Sequence, residues 1–315
     1  MTVHVFDIAL MVPFRGLTRR SGVLVEGPAG WAEWSPFPEY DDEEAAAWLR
    51  AAREVAEAGL PVPVRGAVEV NGIVPALPPA EAAARAVASG CATVKIKVAA
   101  IGQSLDDDVA RVAAVREALP SARIRVDANG GWELPEAVDA VRELGAFGLE
   151  YVEQPCATVE ELATLRAGDL GVPIAADESI RRAADPLRVK VAGAADIAVL
   201  KVQPLGGPQA CLRLAEELGL PVVVSSAVET SVGLRAGVAL AAALPDLPYA
   251  CGLETARLLA GDVVRAPLAP RSGEIPVRDV EVDADLLREH AAGPQLTRFW
   301  LDRFERVSRV LEGER

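Results

Sequence analysis

Thr93-Val94-Lys95-Ile96-Lys97-Val98 reads as a short strand, rich in β-branched residues and alternating with a two-residue period. Lys95 and Lys97 are two apart, so both side chains leave the same face. On a solvated edge strand such a pair carries no message. On a buried face, two ammonium groups repel and are costly to desolvate, which points to an active site where crowding lowers a lysine's pKa enough to make it a base.

Working outward, similar short apolar runs recur at Ala67–Val70, Arg123–Val126, Gly148–Val152, Pro173–Ala176, Ile197–Val202, Pro221–Val224 and Tyr249–Leu253. Alanine-rich helical stretches separate them. Alternation of this kind predicts a parallel sheet, and eight such units predict closure into a (β/α)8-type barrel. An open doubly wound sheet is the alternative. It would usually carry a glycine-rich nucleotide loop after its first strand, and Gly72 stands there without the G-x-G-x-x-G pattern.

Polar residues fall where these runs end. Asp127, Glu153, Asp177, Lys201 and Ser225 follow one another at separations of 26, 24, 24 and 24 residues, close to one βα unit per step. The carboxyl ends of barrel strands meet at one face, so these residues are expected to converge. Asp127, Glu153 and Asp177 would be neighbours around the rim, and three adjacent carboxylates repel unless a cation joins them. All-oxygen ligation favours a hard divalent ion, and Mg²⁺ fits best. The alternative is a carboxylate set held by arginines, and the nearby Arg125 alone cannot offset three charges.

Lys97 on the second run and Lys201 on the sixth are expected to face each other across the mouth. A metal-bound substrate carboxylate between them implies removal of the proton α to it, the enediolate being stabilised electrostatically as it forms. A free lysine has a pKa of about 10.4. The cation and the charge on Lys95 are expected to lower that of Lys97, supplying a neutral base near neutral pH.

Composition narrows the alternatives. The chain has 315 residues, 51% of them hydrophobic, and a net charge of -14, which argues against nucleic acid and anionic membrane as partners. Its two histidines, His4 and His290, lie near the termini, so histidine-based triads and His-rich metal sites are not expected. The four cysteines are scattered without a C-x-x-C pair, consistent with free thiols in a reducing compartment. With neither signal-peptide blocks at the N-terminus nor a charge-free apolar span, the expectation is a cytoplasmic protein.

The N-terminal part reads differently from the barrel. Strand-like stretches at residues 2–12, Val23–Glu26 and Trp31–Trp34 precede a helix from about Asp42 to Glu57, a small α+β unit. Between the first two strands, Phe14–Ser21 reads as a basic loop. It is expected to close over the mouth, with Arg15, Arg19 or Arg20 meeting a substrate carboxylate; the alternative is that these arginines only solvate the loop. Thr255–Pro276, rich in Pro, Gly and Arg, is expected to cross back to this unit. A last helix, about Gln295–Leu311, carries Leu296, Phe299, Trp300, Phe304, Val307 and Leu311 on one stripe for packing or a subunit contact.

The K-x-K of Lys95 and Lys97, D-x-N of Asp127 and Asn129, E-Q-P at Glu153, D-E-S at Asp177 and K-x-Q of Lys201 and Gln203 resemble the muconate-lactonizing branch of the enolase superfamily. The resemblance covers nearly the whole chain. It implies an α/β fold with a (β/α)7β TIM-like barrel and an α+β capping domain built from both terminal segments. The boundaries expected are 1–63 for the cap, 64–255 for the barrel and 256–315 for the segment returning to the cap.

Within the branch, the short cap, Val70-Asn71-Gly72, Arg125 and Ser225-Ser226-Ala227-Val228-Glu229-Thr230 are most similar to the dehydratases of menaquinone biosynthesis. These carbon–oxygen lyases remove water from 2-succinyl-6-hydroxy-2,4-cyclohexadiene-1-carboxylate, a small dicarboxylate. The likeness implies Lys97 as base and then acid on one face, and Lys201 as an electrostatic partner. It implies Asp127, Glu153 and Asp177 as ligands of Mg²⁺; Glu178 takes the place of Asp177 if Asp177→Asn leaves Mg²⁺ affinity untouched. Substrate binding would fall to Lys95, Arg125, Asn129, Ser225, Ser226 and Arg15. N-acylamino acid racemases and dipeptide epimerases of the same branch also place lysines on both faces of the α-carbon. A catalytically inactive barrel acting as a binding protein is the alternative from a different class.

Overall fold

The computed structural model describes residues 2–14 and 16–313. The chain opens with a three-stranded antiparallel sheet of β1 (Thr2–Phe14), β2 (Leu17–Gly27) and β3 (Gly30–Trp34), followed by helix α1 (Asp42–Ala58). Asp41 caps α1 by accepting from the Glu44 N–H, and Asp42, Glu43 and Glu44 complement the helix dipole. Its apolar face, including Trp48, Leu49 and Val55, is buried.

Next come β4 (Ala67–Glu69), β5 (Asn71–Val74) and α2 (Pro79–Ser89), then β6 (Thr93–Lys97), α3 (Leu105–Ala118), β7 (Arg123–Asp127), α4 (Leu134–Gly145), β8 (Leu149–Glu153), α5 (Val159–Ala167) and β9 (Ile174–Ala176). Two short helices, α6 (Glu178–Arg181) and α7 (Arg188–Val191), lead to β10 (Ile197–Leu200), α8 (Pro208–Leu218), β11 (Val222–Val224) and α9 (Ser231–Ala243). Strands β5 to β11 form one parallel sheet in sequence order. Strands β9, β10 and β11 are buried and apolar throughout, as a parallel sheet covered on both faces requires, whereas β6, β7 and β8 also carry charged residues.

The sheet differs from the sequence expectation at its two ends. The run at Ala67–Val70 is not the first barrel strand: Ala67–Glu69 pairs antiparallel with β12 (Glu274–Pro276), and pairing with β6 begins at Asn71. Apolar character alone does not mark where the chain changes partner, so the run Ala67–Val70 stops short of the true first barrel strand, β5. The expected eighth strand, Tyr249–Leu253, is reduced to bridges of Cys251 with Val70 and of Gly252 with Ser225. These bridges still close the sheet, because Asn71 N–H donates to Cys251 O at 2.9 Å and Gly252 N–H to Val224 O at 2.8 Å.

The Phe14–Ser21 stretch is not a loop. β1 runs to Phe14 and β2 starts at Leu17, with Arg19, Arg20 and Ser21 paired against Ala9, Ile8 and Asp7. Polar residues on a two-residue period form an edge ladder as readily as a loop. Arg15 lies outside the described residues.

After a 3-10 turn at Thr255–Leu258, the chain returns to the cap through β12, α10 (Ala284–Glu289) and α11 (Pro294–Gly313). α11 lies against α1, burying Trp300, Val307 and Leu311. The Trp34 ring meets Trp300 at 5.5 Å and Phe304 at 5.3 Å, both edge to face. Among the described residues, no helix is long and apolar enough to cross a membrane.

Candidate active site

Lys97, Asp127 and Glu153 are register partners on β6, β7 and β8, so their side chains rise together at the carboxyl end of the sheet. Asp177 directly follows β9, Lys201 directly follows β10, and Ser225 directly follows β11. A pocket opens there. Lys95, Lys97, Asp127, Asn129 and Lys201 line it from the barrel. Ser225, Ser226 and Thr255 line another side, and Phe14 and Phe37 reach over from the cap.

Lys95 bridges two carboxylates, with Nζ 2.7 Å from Glu153 Oε1 and 3.5 Å from Asp127 Oδ2. Burial by itself lowers an ammonium pKa, but the charges of Glu153 and Asp127 outweigh it and hold Lys95 well above the ordinary lysine range. Lys95 therefore keeps the positive charge expected of it, because anions flank it. Lys97 Nζ donates to the Asp127 carbonyl at 3.3 Å. Lys201 Nζ lies 2.5 Å from Asp177 Oδ2, and Arg181 Nε donates to Asp177 Oδ1 at 2.9 Å.

Burial would raise the pKa of all these acids. At Asp127, Lys95 and Lys97 reverse that effect and the pKa falls. At Asp177, Arg181 and Lys201 hold the carboxyl far below the usual range. Glu153 is pushed up to about 7 by burial, and repulsion from Asp127 and Asp177 adds to it against the pull of Lys95. Glu178 is raised by burial and by the charge of Asp177.

The three carboxylates sit on successive strand ends, each turned toward a cation. Arg181, absent from the sequence reading, supplies one of them, and the lysines supply the rest. Among the described residues, no three acidic, histidine or cysteine side chains converge closely enough to hold an ion between them. The donor set nevertheless fits a hard cation. It is all oxygen, Glu153 Oε2 and Glu178 Oε2 are buried without a hydrogen-bond partner, and the mutual repulsion that raises Glu153 would be relieved by a positive ion.

Some expected substrate contacts fall elsewhere. Arg125 is fully buried and lies two residues below Asp127 inside the barrel. It is stacked on Tyr151 at 4.6 Å and bonded to Glu150, Asn71 and the Ala250 carbonyl. Alternation predicts the side of a strand, not the depth, so Arg125 shares a side with Asp127 without reaching the pocket. Arg19 pairs with Asp7 on the cap, and Arg20 is buried behind the pocket wall. Ser226 Oγ donates to Gly252 O at 2.8 Å and meets Thr255 Oγ1 at 2.6 Å. Asn129 donates to Glu178 Oε1 at 3.3 Å and sits in the left-handed region at φ 47°, a conformation asparagine tolerates.

Gln154 was also not singled out. Its Oε1 accepts from the Asp177 and Ser179 N–H groups at 3.0 and 3.1 Å, which fixes the start of α6 beside Asp177.

Two family models match the chain: Enolase C-terminal domain-like over residues 79–281 and Enolase N-terminal domain-like over residues 5–56. In fold, the chain is similar to the muconate lactonizing enzyme of Pseudomonas fluorescens, with a TM-score of 0.80 at 22% identity over 92% of this chain and 98% of that one. It is also similar to the N-succinyl Arg/Lys racemase of Bacillus cereus, with a TM-score of 0.78 at 19% identity over 92% and 97%. The chain belongs to the enolase superfamily. It is 61% identical over 295 residues, 93% of each chain, to the o-succinylbenzoate synthase of Thermobifida fusca. It is 51% identical over 304 residues, 96% of this chain and 93% of the other, to the o-succinylbenzoate synthase of Mycolicibacterium smegmatis. At that identity and coverage, its place within the superfamily is among the o-succinylbenzoate synthases.

Proposed function

We propose that this chain catalyses loss of water from 2-succinyl-6-hydroxy-2,4-cyclohexadiene-1-carboxylate to give o-succinylbenzoate. The observation that carries the reading is that Lys97, at the end of the second strand of the parallel sheet, and Lys201, just after the sixth, line one pocket. Lys97 removes the proton α to the substrate carboxylate. The resulting ammonium then delivers that proton to the departing hydroxyl on the same face, so water leaves and the ring becomes aromatic. Lys201 keeps its charge against the enediolate. Lys95, held protonated by Glu153 and Asp127, adds a fixed positive charge beside the base.

Enzymes of the enolase superfamily typically use a divalent metal. In this chain Asp127, Glu153 and Asp177 would hold it, and Mg²⁺ is the proposed ion. When bound, it supplies electrostatic stabilisation of the second negative charge that develops on the substrate carboxylate. Asn129 orients Glu178 at the edge of this carboxylate group. Ser225 and Ser226 are the proposed contacts for the succinyl group, through hydroxyl or backbone N–H.

The test is a spectrophotometric assay with the cyclohexadiene substrate, with and without EDTA, alongside N-succinyl amino acids followed by α-proton exchange in D₂O. Dehydration that EDTA abolishes and Mg²⁺ restores is the expected result. Racemisation of the N-succinyl amino acids without dehydration would make the chain a racemase or epimerase of the same branch. Neither activity, with no Mg²⁺-dependent rise in melting temperature, would leave only a binding role.

A further inference from the structure

Behind one wall of the pocket lies a buried polar layer between cap and barrel that the proposed chemistry does not use. Arg20, on β2, is 1% exposed. Its Nε donates to Val228 O at 3.1 Å, and one terminal nitrogen donates to Ala227 O at 3.2 Å and to Ser35 Oγ at 2.9 Å. The guanidinium carbon lies 4.7 Å from the centre of the Phe37 ring. From the other side, the Ala227 N–H is taken by the Glu229 carboxylate at 2.5 Å. Phe37, Ala227 and Val228 all line the pocket.

Val228 has φ 63°. A β-branched side chain rarely adopts this left-handed conformation, and surrounding structure must impose it. Here the two carbonyls at the bend meet the planar fork of a single arginine. A lysine, with one compact ammonium, could not span both carbonyls and stack on the ring as well.

We propose that Arg20 is a positioning residue: from the cap it fixes the pocket wall formed by Phe37, Ala227 and Val228, and so sets substrate affinity without touching the substrate. This rests on the reaction proposed above. The cap thereby shapes a barrel loop through the barrel's own backbone, besides covering the mouth. The loop so fixed continues directly from Ser225 and Ser226, so a loosened bend moves those side chains too.

Steady-state kinetics of Arg20→Lys and Arg20→Met, with hydrogen exchange over residues 225–232, test the role. Arg20→Lys is expected to raise KM about tenfold while kcat falls less than about threefold, and to speed exchange in that segment. Adding Val228→Gly, which accepts the left-handed conformation freely, is expected to bring KM back to within about threefold of the parent. An unmoved KM, or no recovery on adding Val228→Gly, would overturn the role of Arg20. Should neither Arg20 variant fold, Ser35→Ala removes one anchor of the guanidinium and no charge. KM is then expected to rise in the same direction, and an unchanged KM there overturns the proposal. Wild-type protein that fails to dehydrate the substrate would instead sink the proposed reaction.

Discussion

Lys201 Nζ stands 2.5 Å from Asp177 Oδ2, an ion pair between residues that follow adjacent strands, with Arg181 Nε on the other oxygen of the same carboxylate. Asp177 is therefore both a proposed metal ligand and the partner that holds Lys201 in place. Replacing it by asparagine is expected to weaken Mg²⁺ binding by at least about tenfold in calorimetric titration, since a charged ligand becomes neutral. Breaking one side of a buried pair also costs about 3–5 kcal/mol, so the metal-free variant should melt at a lower temperature. Unchanged Mg²⁺ affinity would transfer the ligand role to Glu178.

Lys97→Ala is expected to reduce dehydration by about 10²–10⁴-fold or more while the far-UV circular dichroism and melting temperature stay close to wild type. Lys97 ends β6 at the pocket, so its removal takes away the base and leaves the core packing in place. Activity near the wild-type level would refute its assignment as the base.

Glu33, which accepts from Ser35 and Thr230 behind the pocket wall, supplies a pH dependence of stability. Burial, with the charge of Glu229 added, pushes its carboxyl up to about 7 from 4.5. Between those values the folded protein binds a proton that the unfolded chain has released. This contribution is therefore fully present below 4.5 and is lost as pH rises through about 7. Glu33→Gln removes it. The melting temperature of the variant relative to wild type should rise between pH of about 5 and about 8, and a constant difference would refute the assignment.

Gly252 stands at the seam that closes the barrel. A Cβ there would lie 2.6 Å from Ser225 Oγ and 3.2 Å from Ser225 Cβ. Gly252→Ala should destabilise the protein by about 1–3 kcal/mol, read by urea denaturation. It should also raise KM for the cyclohexadiene substrate, because Ser225 must shift. A variant as stable as wild type would show that the seam has slack.

Much of this arrangement was readable before any coordinates. The alternation of apolar runs with helical stretches predicted the parallel sheet, and the spacing of Asp127, Glu153, Asp177 and Lys201, one βα unit per step, predicted their common face. The cations that bind the carboxylates were only partly visible. Arg181 lies four residues after Asp177 on a short helix, a spacing that could have exposed the pair. The likeness put Arg125 at the substrate, but it lies two residues below Asp127, buried among Glu150, Asn71 and Tyr151, a depth that a motif read along the chain does not carry. Arg20 could not have been found from pattern alone. Its partners, Ala227 and Val228, are more than 200 positions away, and they bind it through backbone carbonyls that every residue possesses.

Trp34 belongs to the third strand of the chain, yet Trp300 and Phe304 of the final helix enclose its ring. The Trp34 indole N–H donates to the Ala45 carbonyl of α1, so α1 can shelter one side of the ring early in synthesis and α11 closes over the other side later. Trimming α11 by protease would lay that side of the N-terminal sheet open to attack, so the sheet and α11 share one fate.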